Sequence, residues 1–318
     1  MELTEKQQQA RKMVCLPLDG LDTMDAVRAR VEELSPVVGL FKVGKETYTR
    51  FGPEAVKTVQ GYGANVFLDL KYHDIPNTVK GAADAASQLG VYMFNVHASG
   101  GLEMMQAARE GAQTGAEKYG TEVPKITAVT VLTSLDNLRY VQNSLPVIRN
   151  LPIREDYLPD VELLCAFPFS NAINAEIAIR MERDDSKKVE MQKRYLDAYG
   201  NPFEHLIRRL GLENLIPDSV LNFAQMAHQA GLDGIVCSAA DLYAVRDKLP
   251  SDFMYVTPGI AGPNTPAGAD QKRVFTPGNA LDDGSNILVI GRAITQPKTS
   301  EERIQAGYEV LEDMAKHL

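Results

Sequence analysis

Residues 69 to 75 read Asp-Leu-Lys-Tyr-His-Asp-Ile and follow a mostly apolar run, Ala64 to Leu68, that has the pattern of a buried strand. Two carboxylates and an ammonium at a strand exit stand where parallel α/β folds carry their chemistry. Alternation along an extended segment sends Asp69 and Lys71 to the same side of the backbone, so the acid and the amine become neighbours. Asp74 falls past the strand end, in the loop. A helix then starts, with Pro76 early and Asn77 or Thr78 as its cap. A lone Asp-x-Lys is more often a surface salt bridge of small energetic weight. Three charges in seven residues beside a buried strand favour a site.

Other strand ends carry polar groups that a purely structural sheet does not need. Asp19 closes one run in Leu-Asp-Gly, Lys42 sits near the end of another in Phe-Lys-Val-Gly, and later runs end in Asn95-Val96-His97-Ala98-Ser99 and Thr130-Val131-Leu132-Thr133-Ser134. Singly, each could be a capped or hydrogen-bonded residue. The last two runs suggest a phosphate site. Thr257-Pro258-Gly259-Ile260 opens a loop rich in Gly, Pro and Asn, and the final run ends Gly291-Arg292. Backbone N–H groups and a guanidinium fork suit phosphate oxygens at that place in a barrel.

The elements that must position these residues are eight short apolar, β-branched runs: Met13–Leu18, Val38–Val43, Ala64–Leu70, Tyr92–His97, Lys125–Leu132, Gly234–Cys237, Phe253–Thr257 and Ile287–Ile290. Amphipathic stretches alternate with them, among them Thr23–Leu34, Pro53–Gln60, Gly101–Tyr119, Ser219–Ala230 and Ser300–His317. This is the pattern of an α/β protein with a parallel sheet, and eight units favour a closed (β/α)8 TIM barrel over an open sheet. The barrel is interrupted by a large insertion after the fifth strand. The division is residues 1–136 for the first part of the barrel, 137–209 for a partly helical insertion and 210–318 for the second part. The insertion's prolines and its charged run, Ile177 to Tyr199, describe an ordered excursion with a solvated helix face, too long for a structureless loop.

Taken together, Asp69-x-Lys71-x-x-Asp74-Ile75-Pro76-Asn77-Thr78, Asp19, Lys42-Val-Gly, His97-Ala-Ser-Gly-Gly101, Leu132-Thr-Ser134, Thr257-Pro-Gly-Ile260, Asp270-Gln-Lys-Arg273 and Gly291-Arg292 resemble the orotidine 5′-monophosphate decarboxylases. The resemblance spans about residues 13 to 136 and 211 to 298. It implies a homodimer of β/α barrels with shared active sites that converts the orotate nucleotide to uridine 5′-monophosphate and carbon dioxide in pyrimidine biosynthesis, without a cofactor or a metal. On that pattern Lys71 donates the proton, Asp69 lies beside the departing carboxylate, Lys42 orients the carboxylates and reaches the ribose, and Asp19 binds ribose hydroxyls. Asp74, Ile75 and Thr78 enter the partner's site, Ser134 contacts the pyrimidine, and Gly291 and Arg292 hold the phosphate. The family's usual Pro-Gln-Gly after the seventh strand is replaced by Gly262-Pro263-Asn264, so Asn264 is the candidate for the missing glutamine's part.

Composition narrows the partners. A net charge of −9 and a pI near 5.2 give no general polyanion-binding surface, so no nucleic acid is expected and any phosphate is held locally. The first residues are polar and acidic where a signal peptide is basic then apolar, and no apolar run is long enough to span a membrane. Three dispersed cysteines, Cys15, Cys165 and Cys237, fit reduced thiols in a cytoplasmic protein. Two competing readings are a metal-dependent sugar-phosphate decarboxylase with the same Asp-x-Lys-x-x-Asp signature, and a silent nucleotide-binding scaffold. The Ile75-Pro76-Asn77-Thr78 continuation disfavours the first, and the presence of Lys71 the second.

Overall fold

The computed structural model describes residues 2–132, 215–263 and 275–318. The insertion 137–209, Ser134, Cys165, Asn264 and the Asp270–Arg273 segment lie outside them. Eight parallel strands close into a barrel in chain order: β1 Val14–Pro17, β2 Leu40–Gly44, β3 Asn65–Tyr72, β4 Met93–His97, β5 Lys125–Val129, β6 Gly234–Val236, β7 Met254–Pro258 and β8 Ile287–Val289. Closure comes from β8 pairing with β1, Val14 opposite Leu288 and Cys15 opposite Val289. All eight lie on the apolar runs read from the sequence, with ends that differ by at most three residues. β5 stops at Val129 because the next peptide turns to β6: both the N–H and the hydroxyl of Thr130 donate to the Val236 carbonyl.

Cys15, Leu40, Phe67, Met93, Val256, Ile287 and Val289 form one buried cluster, with Val236 and Met254 packed against it. Side chains from every strand except β5 can converge in this way only inside the barrel, and each fully buried aliphatic or aromatic side chain contributes roughly 1.5–3 kcal/mol. Lys42, Asp69 and Asn95 stand two residues beyond Leu40, Phe67 and Met93. Strand alternation therefore stacks the polar groups one layer above the apolar floor, toward the C-terminal ends of the strands. Cys15 and Cys237 are buried and free, and burial pushes both thiols up, away from reactivity.

The helices cover the outside. In chain order they are α1 Glu5–Met13, α2 Met24–Leu34, α3 Lys45–Phe51, α4 Pro53–Gly61, α5 Pro76–Gln88, α6 Leu102–Tyr119, α7 Leu215–Gln229, α8 Leu242–Val245, α9 Pro277–Asp282, α10 Arg292–Thr295 and α11 Ser300–Ala315. The periodic stretches named from the sequence match α2, α4, α6, α7 and α11. α1 was not expected, although Thr4 and Gln7 close a reciprocal capping box at its start. α1 packs on α11, and the Arg11 guanidinium donates to the Ser35 carbonyl after α2. The start of α5 also differs from expectation. Ile75 is its cap and Pro76 its first residue, because the fixed proline φ and missing N–H suit that position, so Asn77 and Thr78 lie in the first turn.

α5 and α6 are clamped together by small residues. The buried Ser87 hydroxyl contacts the Ala83 and Ala112 carbonyls, and a Cβ on Gly111 would stand 2.2 Å from the Lys80 carbonyl oxygen. That neighbour is backbone and cannot rotate away. Replacing Gly111 by Ala adds helix propensity of about 1 kcal/mol, but overpacking that forces two helices apart costs up to about 3 kcal/mol. Gly111→Ala is therefore expected to lower stability by about 1–2 kcal/mol in urea unfolding. An unchanged or raised midpoint would mean the helix pair is looser than its close approach indicates.

Candidate active site

The centre of the site is the carboxylate of Asp69, a residue only 7% exposed although charged. Its Oδ1 accepts from Lys71 Nζ at 2.5 Å and from Asn95 Nδ2 at 2.7 Å, and its Oδ2 lies 3.1 Å from Lys42 Nζ. Lys42 Nζ also donates to Asp19 Oδ2 at 2.8 Å. The result is an alternating row, Asp19, Lys42, Asp69, Lys71, across the ends of β1, β2 and β3. Four of the residues expected at the site are thus brought together by one barrel.

Packing keeps this row tight. A Cβ on Gly44, at the end of β2, would stand 2.5 Å from Asp19 Oδ1 and 2.8 Å from Lys42 Nζ, so a side chain there would make the ends of both groups shift. Burial pushes the Asp69 carboxyl up, but Lys42 and Lys71 and the hydrogen bonds from Lys71 and Asn95 outweigh it and hold it below the ordinary carboxylate value. Burial likewise works to lower Lys42, and the charges of Asp69 and Asp19 with their hydrogen bonds reverse this and raise it. Both groups are therefore charged across the neutral range.

Lys71 reaches Asp69 by a route that simple alternation does not anticipate. Leu68 pairs with Phe94 and Tyr72 with Val96, so four steps on β3 match two on β4 and two extra residues are accommodated. Lys71 takes up the irregularity at φ 52°, the only non-glycine at positive φ among the described residues. A left-handed conformation at such a residue costs roughly 1–3 kcal/mol and recurs at functional sites. The Lys71 N–H donates to Asn95 Oδ1 at 2.8 Å. Asn95, 1% exposed, was named in the sequence only as part of a polar strand end and was given no role there. Its signal was an amide inside the apolar run Met93-Phe94-Asn95-Val96, where a buried polar group needs partners.

The residues just after β3 do not join the row. His73 to Thr78 are all exposed, Ile75 at 66%, and the Asp74 carboxylate accepts from the adjacent Ile75 N–H at 2.7 Å. The His73 ring lies against that of His97, tilted by 39° at 5.3 Å between centroids. Burial first, and then the positive charge of His73, Lys45 and Lys71, lower His97 from its ordinary value, with Asp69 opposing. Gly291 follows β8 and packs beside Pro17 of β1, with Arg292 exposed after it, its carbonyl accepting from the Gln296 N–H and its guanidinium making no hydrogen bond or ion pair among the described residues. Gly259, at φ 82°, supplies the turn after β7, and within β7 the buried Thr257 hydroxyl bonds at 2.8 Å to that of Ser285, which precedes β8. Among the described residues no group of three or more His, Cys, Asp or Glu side chains is placed to hold a metal ion, and no helix is long and apolar enough to cross a membrane.

Fold and row together define a β/α-barrel enzyme with its charged site at the C-terminal ends of the strands. The model of the orotidine 5′-phosphate decarboxylase / HUMPS family matches residues 12–145 and 188–306. The chain is 36% identical, over all of its 318 residues and 99% of the relative's length, to an orotidine 5′-phosphate decarboxylase of Syntrophus aciditrophicus, so that alignment includes the stretch between the two matched parts. It is 37% identical to one from Pseudoalteromonas translucida over 90% of this chain and 91% of the relative. The crystal structure of orotidine 5′-phosphate decarboxylase from Lactobacillus acidophilus is similar at a TM-score of 0.62 and 27% identity, covering 95% of this chain and 98% of that one. The chain belongs to the orotidine 5′-phosphate decarboxylase / HUMPS family.

The two shifted groups give the site a pH signature. Asp69, depressed in the folded state, contributes stability that is complete above the unfolded value of about 3.9 and is lost as pH falls through its lower folded value. Lys42, raised, contributes stability that is complete below about 10.4 and is lost as pH rises through its higher folded value. The stability difference between the parent and Asp69→Asn, from denaturant midpoints, is expected to be largest near neutrality and to shrink below about pH 4. A difference independent of pH on the acid side would mean that the Asp69 charge is not what the row stabilises.

Proposed function

We propose that this protein decarboxylates orotidine 5′-monophosphate to uridine 5′-monophosphate, without metal or organic cofactor, as a cytoplasmic homodimer. The observation that carries the reading is the alternating row Asp19, Lys42, Asp69, Lys71 in a chain whose full-length relatives are named for this reaction. The Ile75-Pro76-Asn77-Thr78 continuation favours the nucleotide over a sugar phosphate as substrate. Buried, reduced thiols are compatible with the cytoplasm.

The chemistry asks for what the row offers. When the bond from the pyrimidine ring to the carboxylate breaks, carbon dioxide leaves and the electron pair stays on the ring carbon. No adjacent carbonyl delocalises that pair well, so fixed positive charge and a positioned proton are the available aids. In this reading the Lys71 ammonium faces the ring carbon and gives it a proton, and Lys71 is reprotonated from solvent after release. Asp69, kept ionised by two lysines, holds Lys71 and stands beside the departing carboxylate, where it disfavours the bound substrate more than the product. Lys42 orients these carboxylates and reaches the ribose, whose hydroxyls Asp19 binds. Arg292 and the Gly291 backbone take the phosphate, Ser134 the pyrimidine, and Asn264 the part of the family's loop glutamine. Phosphate binding remote from the reacting carbon supplies free energy for enclosing it.

The dimer is part of the proposal because the run from Asp74 to Thr78 is exposed and, among the described residues, the Asp74 carboxylate bonds only the adjacent Ile75 N–H, so it does not join the row of its own barrel. Asp74, Ile75 and Thr78 are assigned to the partner's site, where Asp74 extends the row.

Purified protein, incubated with orotidine 5′-monophosphate in the presence of a chelator, is expected to deplete the substrate's ultraviolet absorbance. Lys71→Ala is expected to abolish this while retaining the fold, and turnover within about tenfold of the parent, or roughly 1.4 kcal/mol in barrier, would rule out the proton-donor role. Dependence on magnesium would instead favour the sugar-phosphate chemistry of the wider superfamily. A second measurement concerns the dimer. Lys71→Ala and Asp74→Ala proteins, each nearly inactive, are expected to regain activity when mixed under subunit exchange, because a mixed dimer holds one site with both lesions and one with neither. Independently demonstrated exchange without recovery would return Asp74 to its own subunit's site.

A further inference from the structure

We propose that Asn95 is the positioning residue for the proton donor: its side-chain amide, in place of regular sheet pairing, sets both the backbone of Lys71 and the Asp69 oxygen that Lys71 meets. The inference rests on the reading of Lys71 as the donor. In a regular parallel ladder the N–H of a β3 residue finds a backbone carbonyl on its neighbour strand. The two extra residues between Leu68 and Tyr72 remove that option for Lys71, and Asn95 Oδ1 accepts its N–H at 2.8 Å instead. The other end of the same amide donates to Asp69 Oδ1 at 2.7 Å, the oxygen that also receives Lys71 Nζ.

The orientation of the amide is dictated by its partners, since an ionised carboxylate can only accept and a backbone N–H can only donate. Only a side chain with an acceptor and a donor on one planar group satisfies both at once. Aspartate has no donor when ionised, leucine has neither function, and serine is too short to span both. Asn95 is 1% exposed, so solvent does not compete for either bond. The conformation of Lys71 at φ 52° then has a cause, a backbone held at its N–H by one bond and at its ammonium by a carboxylate that the same amide holds. Lys42 grips the far oxygen of Asp69, and on the opposite side, in register on β5, stands the uncharged Thr127.

The test compares the parent with Asn95→Ala and with Asn95→Asp, which keeps the volume and serves if the alanine variant does not fold. Turnover of Asn95→Ala is expected to fall by about 100-fold, the scale of loss when a reacting group shifts by about 1 Å, with affinity for uridine 5′-monophosphate retained within about threefold. Asn95→Asp can still accept from the Lys71 N–H but can donate to Asp69 only when protonated. Facing Asp69 and Lys71 on β3, with Lys42 behind Asp69, its turnover relative to the parent is expected to rise as pH is lowered. Turnover of Asn95→Ala within about threefold of the parent, or equal losses in turnover and nucleotide affinity, would overturn the proposal. A crystal structure of either variant supplies an arm that does not depend on activity. Lys71 still at positive φ with Nζ on Asp69 in both variants would overturn it, whereas a relaxed Lys71 backbone supports it. If the parent itself shows no turnover, the functional reading fails, and the crystallographic arm alone decides whether Asn95 sets Lys71.

Discussion

A single buried carboxylate organises the mouth of this barrel. Asp69 accepts two ammonium groups and one amide, and through them it ties β3 to β2 and to β4. An ionised carboxylate taken out of water without partners would lose several kcal/mol of solvation. Three donors compensate that loss, and the geometry that compensates it also fixes where two lysines stand. The stabilising contacts and the reactive ones are therefore the same contacts. Removing either lysine changes the electrostatic state of the other groups as well as deleting a side chain, so single deletions in this row are not additive.

The apolar floor makes that arrangement possible. Phe67, Leu40 and Met93 fill the barrel below Asp69, Lys42 and Asn95, and they keep solvent from reaching the row from beneath. In such surroundings each charge pair interacts more strongly than it would at a free surface. Gly44 acts in the same sense from the side, because its backbone comes so close to the Asp19–Lys42 pair that a side chain there would displace the two groups. The outer helices matter to the site mainly through α5. Its first turn, Pro76 to Thr78, is the end of the exposed run after β3, and its packing on α6 anchors that end.

Much of this was legible in the sequence, for physical reasons that differ from element to element. The eight strands show as apolar β-branched runs because a parallel sheet is buried on both faces. The row was legible because several charges gathered at the ends of buried strands exceed what a structural sheet needs, and the structure brings Asp19, Lys42, Asp69 and Lys71 together. The left-handed Lys71 and the two extra residues of β3 were not legible, since period-two alternation carries no mark of a bulge. Asn95 was hidden for a related reason: its role depends on a register shift that only the folded pairing reveals. α1 escaped because its composition is polar nearly all round and its one buried residue, Ala10, gives no periodic stripe. The cap of α5 fell to Ile75, which has no capping side chain, because Pro76 overrode the usual preference.

Barrel closure by β8 against β1 has a consequence for how the site comes into being during synthesis. The end of β3 at Tyr72 and the end of β8 at Val289 are 289 − 72 = 217 residues apart. At roughly 5–20 residues per second, a ribosome needs about 10 to 45 s to make that stretch. Throughout that interval the nascent chain already owns Asp19, Lys42, Asp69 and Lys71, yet an open sheet leaves its inner face wet. Water then screens the row, and its groups behave as ordinary solvated side chains. The last strand, three residues long and supplying none of the four charges, is the step that dries the interior. The dry surroundings of the row thus arrive late, with the emergence of the C-terminal tenth of the polypeptide.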